Sequence, residues 1–292
     1  MSTYQECNFS SIVTYRETMD KFLPGLKKFY DDPEPFRLDP FQIFGNLYYV
    51  GDKKVCSHLI DTGDGLILFD TGYGGSSAPL LLDSIAALGF CVEDIRYIIH
   101  SHGHFDHFGS GNLLRQLSGA TVCMSAEDTR LLRERPDRSL AQLAPGVEIC
   151  WPDRELHDGD HITLGNTDIT CLLTPGHTCG TMTFLFDVTD GEKTLRAGYL
   201  GGAGFLSIYR EYCLEYDLPT DKNARLLESV RRLWDEPVDI LLGNHPHHNC
   251  TLEKQQYMLE NPGSNPFVNP AAWRIFLSAL EKQGLEFEML GY

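Results

Sequence analysis

Ser101-His102-Gly103-His104-Phe105-Asp106-His107-Phe108-Gly109 follows the apolar run Ile95-Arg96-Tyr97-Ile98-Ile99, and its reading decides the fold. His102, His104, Asp106 and His107 fall within six residues at the end of a predicted strand. Divalent transition metals take imidazole nitrogens and carboxylate oxygens, so this density of donors reads as a metal site rather than a solvated polar loop. His100 belongs to the alternating end of the strand and reads as a hydrogen-bonded core histidine.

One short loop cannot wrap a tetrahedral ion and leave an open position for chemistry, so further ligands are needed. Thr174-Pro175-Gly176-His177-Thr178 follows a strand-like run, and its Pro-Gly pair marks a sharp turn that holds His177 at a strand end. Ile240-Leu241-Leu242-Gly243-Asn244-His245-Pro246 repeats the pattern of an apolar strand with a histidine at its exit. Loops at converging strand ends are where a rigid scaffold carries function. His247 and His248 read as bystanders, and Cys179 as a small buried turn residue.

With these residues in view, the chain resembles the metallo-β-lactamase superfamily, whose His-x-His-x-Asp-His signature matches His102 to His107 without a gap. Further blocks match in order: Asn46 to Gly51, Leu66 to Gly72, Pro175 to Thr178 and Asn244 to Pro246. The resemblance implies an α/β four-layer αβ/βα sandwich. It implies one zinc held by His102, His104 and His177 and a second held by Asp106, His107 and His245, with Asp106 also catalytic. Asp70 is expected to fix the metal loop without binding metal. Many hydrolases of the superfamily add a bridging aspartate after the strand that follows the third histidine. The matching stretch, Leu195 to Gly204, has no carboxylate and no cysteine. The remaining match is to the third subclass of metallo-β-lactamases, in which each zinc has three side-chain ligands. That subclass usually carries an Asp-Ser pair where this chain has its glycine-rich run.

The resemblance thus implies a dinuclear zinc hydrolase in which a metal-bound hydroxide attacks the carbonyl of a small substrate. A β-lactam amide is the first expectation; a lactone, ester or thioester is the alternative, and a non-catalytic metal-binding scaffold stands against both. Flavodiiron chemistry is disfavoured because those relatives place a glutamate where His104 stands. Persulfide dioxygenases normally keep the bridging aspartate that is absent here.

Charge argues against a nucleic-acid partner: 24 Lys plus Arg stand against 41 Asp plus Glu, a net charge of −17. A polyanion would be repelled. Nine cysteines without a C-x-x-C pair fit reduced thiols. No signal-peptide pattern opens the sequence and no apolar run approaches the roughly 20 residues of a membrane span, which gives the expectation of a cytoplasmic protein without membrane contact.

The metal candidates span positions 102 to 245, so the middle of the chain must close on itself. One domain is expected over residues 40–292, with residues 1–39 as an extension packed on it. Phe41 to Val50, Val55 to Asp61 and Leu66 to Asp70 read as a meander, and helices are predicted over Ala78 to Leu88, Gly109 to Leu117, Ala126 to Arg135, Lys222 to Trp234 and Pro270 to Gln283. The aromatic-rich stretch Phe205, Ile208, Tyr209, Tyr212 and Tyr216 reads equally as pocket wall or as a core-facing helix.

Overall fold

A computed structural model describes residues 15–291. Residues 1–14 of the expected extension lie outside that range. Helix α1 (Tyr15–Asp31) precedes a sheet of seven strands, β1 (Phe41–Phe44), β2 (Leu47–Tyr49), β3 (His58–Asp61), β4 (Leu66–Phe69), β5 (Ile95–Ile99), β6 (Thr121–Ser125) and β7 (Arg154–Leu156), in sequential order. The first four strands pair antiparallel and the last three continue in parallel. Helices α2 (Ala78–Ala87), α3 (Phe105–Phe108), α4 (Gly111–Ser118) and α5 (Ala126–Glu134) fill the parallel crossovers.

The second sheet holds β8 (Asp160–Leu164), β9 (Thr167–Leu173), β10 (Met182–Thr189), β11 (Thr194–Leu200) and β12 (Ile240–Gly243) in the order β12-β11-β10-β9-β8. Its strands are antiparallel except for the β11/β12 pair, whose crossover carries α6 (Arg210–Glu215) and α7 (Lys222–Leu233). Helices α8 (Thr251–Glu260) and α9 (Ala272–Leu290) close the described chain.

Side chains alternate across a strand, and β10 shows what that does. Phe184 and Phe186 point into the space between the sheets, where Phe69 of β4 lies 5.1 and 5.3 Å from their rings. Leu185 points the other way, into a cluster with Leu226 and Val230 of α7 and Trp273 and Phe276 of α9. A third cluster packs Leu68, Ile98 and Val122 of the first sheet against Ile85 of α2 and Leu114 of α4. The layers are therefore helix, sheet, sheet, helix, as expected. Leu26 and Phe29 of α1 are buried in the cluster over the first sheet. No described helix is long and apolar enough to cross a membrane.

The expected first meander strand divides: Gly45, at φ 52°, turns between β1 and β2. A side chain there would strike the Thr189 carbonyl oxygen at 2.1 Å, so the turn seats on the second sheet's hairpin. Helix α9 runs to Leu290, beyond the predicted end at Gln283. Gly284 continues it because a Cβ there would sit 2.7 Å from Leu227, so the glycine provides close packing against α7 rather than a stop.

Candidate metal centre

Parallel pairing of β4 with β5 sets Phe69 beside Ile99, so the residues that leave the two strands, Asp70 and His100-Ser101, emerge side by side. Asp70 has φ 54°, an uncommon conformation for a residue other than glycine. Its buried carboxylate explains why the turn holds. Oδ1 accepts from the Ser101 backbone N–H at 2.7 Å, and Oδ2 accepts from Ser101 Oγ at 2.7 Å, from His107 Nδ1 at 2.7 Å and from the Tyr199 hydroxyl. Burial pulls the carboxyl upward, but His107 and these donors hold it below the usual carboxylate range. Asp70 thus ties the start of the metal loop to its end, which is the role read from sequence.

The loop brings together two groups of donors. Nε2 of His102, Nδ1 of His104 and Nε2 of His177 converge, with separations of 3.1 Å between the first pair and 3.0 Å between the second. Nitrogens bound to one zinc at about 2.0–2.1 Å in a tetrahedron stand roughly 3.3 Å apart, so the spacing suits a shared ion. The outer nitrogens fix the tautomers. His102 Nδ1 donates to the Gly201 carbonyl at 2.7 Å and His177 Nδ1 donates to the Gly204 carbonyl at 2.7 Å. Both Nε2 atoms therefore present lone pairs to the common point, as the outer partners of metal-bound histidines do. Burial, with neighbouring rings and Lys222 adding to it, keeps these imidazoles neutral, His177 down to about 3.

The second group comprises His102, Asp106 and His107, whose ligand atoms lie within 4.8 Å of one another. Asp106 Oδ2 is 3.5 Å from His107 Nε2 and 3.6 Å from His245 Nε2. His245 Nδ1 donates to the Lys54 carbonyl at 2.8 Å, which turns its Nε2 toward Asp106. His107 Nε2 is buried without a hydrogen-bond partner. Burial works against a charge on His107, yet Asp106 and Asp70 together raise it, so this end of the site is short of positive charge. A cation held by Asp106 and His107 would supply that charge and engage the orphaned nitrogen. The donor set fits zinc at both positions.

His100 is fully buried, with Nε2 3.5 Å from Thr71 Oγ1, and belongs to neither group. His248 Nδ1 bonds Asn244 Oδ1 at 2.6 Å, and Cys179 Sγ lies against Asp128 rather than in a donor group. Of the aromatic stretch, Phe205, Ile208, Tyr209 and Tyr212 are buried in the helical cluster over the second sheet, and Tyr212 also lines a cavity beside His104.

The glycine-rich run has a structural reason. A Cβ on Gly201 would fall 2.4 Å from the Met182 carbonyl oxygen and 2.7 Å from Ser101 Cβ. The end of β11 lies so close to the metal loop that its carbonyls orient the ligands. Asn244 Nδ2 donates to the same Gly201 oxygen at 2.9 Å, and Ser207 Oγ donates to the His177 carbonyl at 2.6 Å. Asn244, Gly201, Gly204, Ser207, Lys54 and Tyr199 position the site through contacts that the sequence pattern does not display.

Residues 50–245 match the family model of the metallo-beta-lactamase superfamily. The chain belongs to that superfamily. Among solved structures, this metallo-beta-lactamase relative is similar to a subclass B3 enzyme of Bradyrhizobium japonicum at 28% identity and TM-score 0.77, over 88% of this chain and 95% of that one. It is also similar to the native FEZ-1 enzyme of Legionella gormanii, at 28% identity and TM-score 0.76 over 86% and 95% of the two chains. A hydroxyacylglutathione hydrolase, GloC, of Haemophilus influenzae is 25% identical over 74% of this chain and 93% of its own length. An uncharacterised protein of Aquifex aeolicus is 29% identical over 73% and 93%. The expected fold and the expected metallo-hydrolase class are thereby borne out.

Proposed function

We propose that this member of the superfamily is a dinuclear zinc hydrolase of a small carbonyl substrate, with His102, His104 and His177 holding one ion and Asp106, His107 and His245 the other. The observation that carries the reading is the donor arrangement itself: His102, His104 and His177 converge at the ends of β5 and β9, and beside them Asp106 lies 3.5 Å from His107 and 3.6 Å from His245 at the end of β12. Zinc at such positions lowers the pKa of a water toward 7 and polarises a carbonyl.

The protein's own groups do the rest. Nδ1 donation from His102, His177, His107 and His245 fixes four imidazoles so that each Nε2 faces inward. Asp106 accepts no hydrogen bond among the described residues, which leaves its carboxylate able to take a proton from the attacking water and aim it at the carbonyl. Cleavage of a β-lactam amide is the first reading, supported by the likeness to subclass B3 enzymes over most of the chain. Thioester cleavage is the second, favoured by the similarity to a hydroxyacylglutathione hydrolase.

Asp106→Ala tests the assignment, with zinc counted by elemental analysis and turnover followed on a chromogenic cephalosporin, an acyl-homoserine lactone and an acyl-glutathione thioester. Zinc at the second position should weaken and turnover should fall roughly 10²–10⁴-fold. Wild-type zinc content together with wild-type turnover in the variant would overturn the role of Asp106. Which substrate wild-type protein turns over selects between the two readings.

A further inference from the structure

Lys222, the first residue of α7, is only 7% exposed. Among the described residues its ammonium makes no hydrogen bond and no ion pair; it lies 5.7 Å from the centre of the Tyr212 ring. A charge held this far from bulk water is costly unless it finds a partner, and a methionine of similar length would fill the same space. Burial pushes the amine down to about 8, with Cys213, Asp128 and Cys179 acting in the opposite direction.

Asp128 is the buried carboxylate that Lys222 senses, and it is already committed. Oδ2 accepts from the Gly103 N–H at 2.7 Å and from Thr178 Oγ1 at 2.8 Å. Oδ1 accepts from the Gly180 N–H at 2.8 Å and from Cys179 Sγ at 3.4 Å. Asp128 thus clamps the two ligand-bearing loops together and leaves the ammonium to the space beside it.

That space is a cavity of about 250 Å³ lined by Lys222 and also by His104, a ligand of the first metal position. Leu131, Leu218 and Tyr212 give it an apolar wall. Of the other cations at its edge, Arg225 Nε bonds Asp221 at 2.9 Å, Arg138 pairs with Asp137, and Arg130 is exposed to solvent. Arg130, Glu127 and Glu134 also line it, and no carboxylate stands within ion-pair distance of Lys222 among the described residues.

We propose that this cavity is a substrate subsite for a carboxylate group carried on an apolar arm, with Lys222 as its specificity-determining residue. One buried ammonium matches a monoanion better than a phosphate dianion, which would need further donors. The inference rests on the hydrolase reading in so far as the arm belongs to a substrate whose carbonyl lies at the metal centre beside His104.

Phenylacetate and its neutral counterpart phenylacetamide are the probes, titrated calorimetrically into metal-loaded and chelator-treated protein. Wild-type protein should bind phenylacetate at least tenfold more tightly than the amide in both states. Lys222→Met should lose at least tenfold in phenylacetate affinity with the amide unchanged, and Lys222→Arg should recover most of the loss. Phenylacetate binding that is equal in Lys222→Met and wild type, or that vanishes on metal removal, would overturn the proposal, since the metal would then be the anion's partner. If Lys222→Met does not fold, Lys222→Gln reads the same difference. Zinc content and turnover of the wild-type sample judge the hydrolase reading separately.

Discussion

Asp70→Asn should separate the fold from the second metal position. The carboxylate serves four donors, and hydrogen bonds to charged groups contribute about 1.5–3 kcal/mol each. Asparagine keeps one acceptor oxygen, enough for the Ser101 N–H, and presents an amide donor where Oδ2 stood. Loss of the three charge-assisted bonds that Oδ2 accepts costs on the order of 4.5–9 kcal/mol, and donation by the new amide to His107 Nδ1 and to one hydroxyl offsets part of this, leaving about 3–5 kcal/mol. For a domain of this size that is a fall in Tm of roughly 6–15 °C. His107 then has to accept from the new amide through Nδ1, which moves its proton to Nε2. An N–H cannot ligate, so zinc affinity at the second position should fall about 10–100-fold while the first position stays close to wild type. Competition for zinc against a chromophoric chelator resolves the two affinities, and calorimetry gives the Tm. Two zinc equivalents held as tightly as in wild type would refute the tautomer argument.

Gly201→Ala should destabilise by about 1–3 kcal/mol, because its Cβ meets the Met182 carbonyl oxygen at 2.4 Å, and should weaken zinc at the first position by displacing the carbonyl that orients His102. Thermal melting and zinc stoichiometry check both, and an unchanged Tm would show that the strand end yields. Asp52→Asn should be stabilising at pH 8. Burial raises the Asp52 carboxyl to about 6 although the Lys54 and Val55 N–H groups bond it. A folded-state value above the unfolded one gives stability that is present at low pH and is lost as pH rises through about 6. The amide removes that loss, so urea unfolding should show a gain on the order of 1–3 kcal/mol at pH 8 that shrinks at pH 4.5. Equal effects at the two pH values would contradict it.

The site was legible where chemistry sits in side chains with a fixed spacing, and opaque where backbone does the work. His102, His104, Asp106 and His107 declare themselves by density, and His177 and His245 by their places at strand exits. The carbonyls of Gly201, Gly204 and Lys54 carry no sequence signal, because every residue type has one. Sequence could show only that the glycine run lacks a carboxylate; its closeness to Ser101 and Met182 depends on the two sheets meeting. In the fold, β5 was plain from its apolar run Ile95 to Ile99. Strand β7, three residues of which two are charged, offers no periodicity and forms because Cys123 to Ser125 present a parallel edge to it. The predicted last helix stopped at Gln283, and the glycine that follows it proved to be a packing contact. Lys222 opens a predicted helix, and nothing in that pattern marks it as buried; in the fold it faces Tyr212 of α6 across the cavity.

The proposed ligand sets each draw on both sheets, and this has a consequence for how the protein acquires its metals during synthesis. His102 and His104 leave the ribosome early but cannot close around an ion until His177 and β9 have emerged. The second set waits for His245, 68 residues later in the chain (245 − 177). At about 5–20 residues per second, that is an interval of roughly 3–14 s in which a nascent chain can hold one ion and not two. On the proposed ligand sets, metal loading would be ordered by translation itself, the second ion being admitted only when β12 completes its sheet.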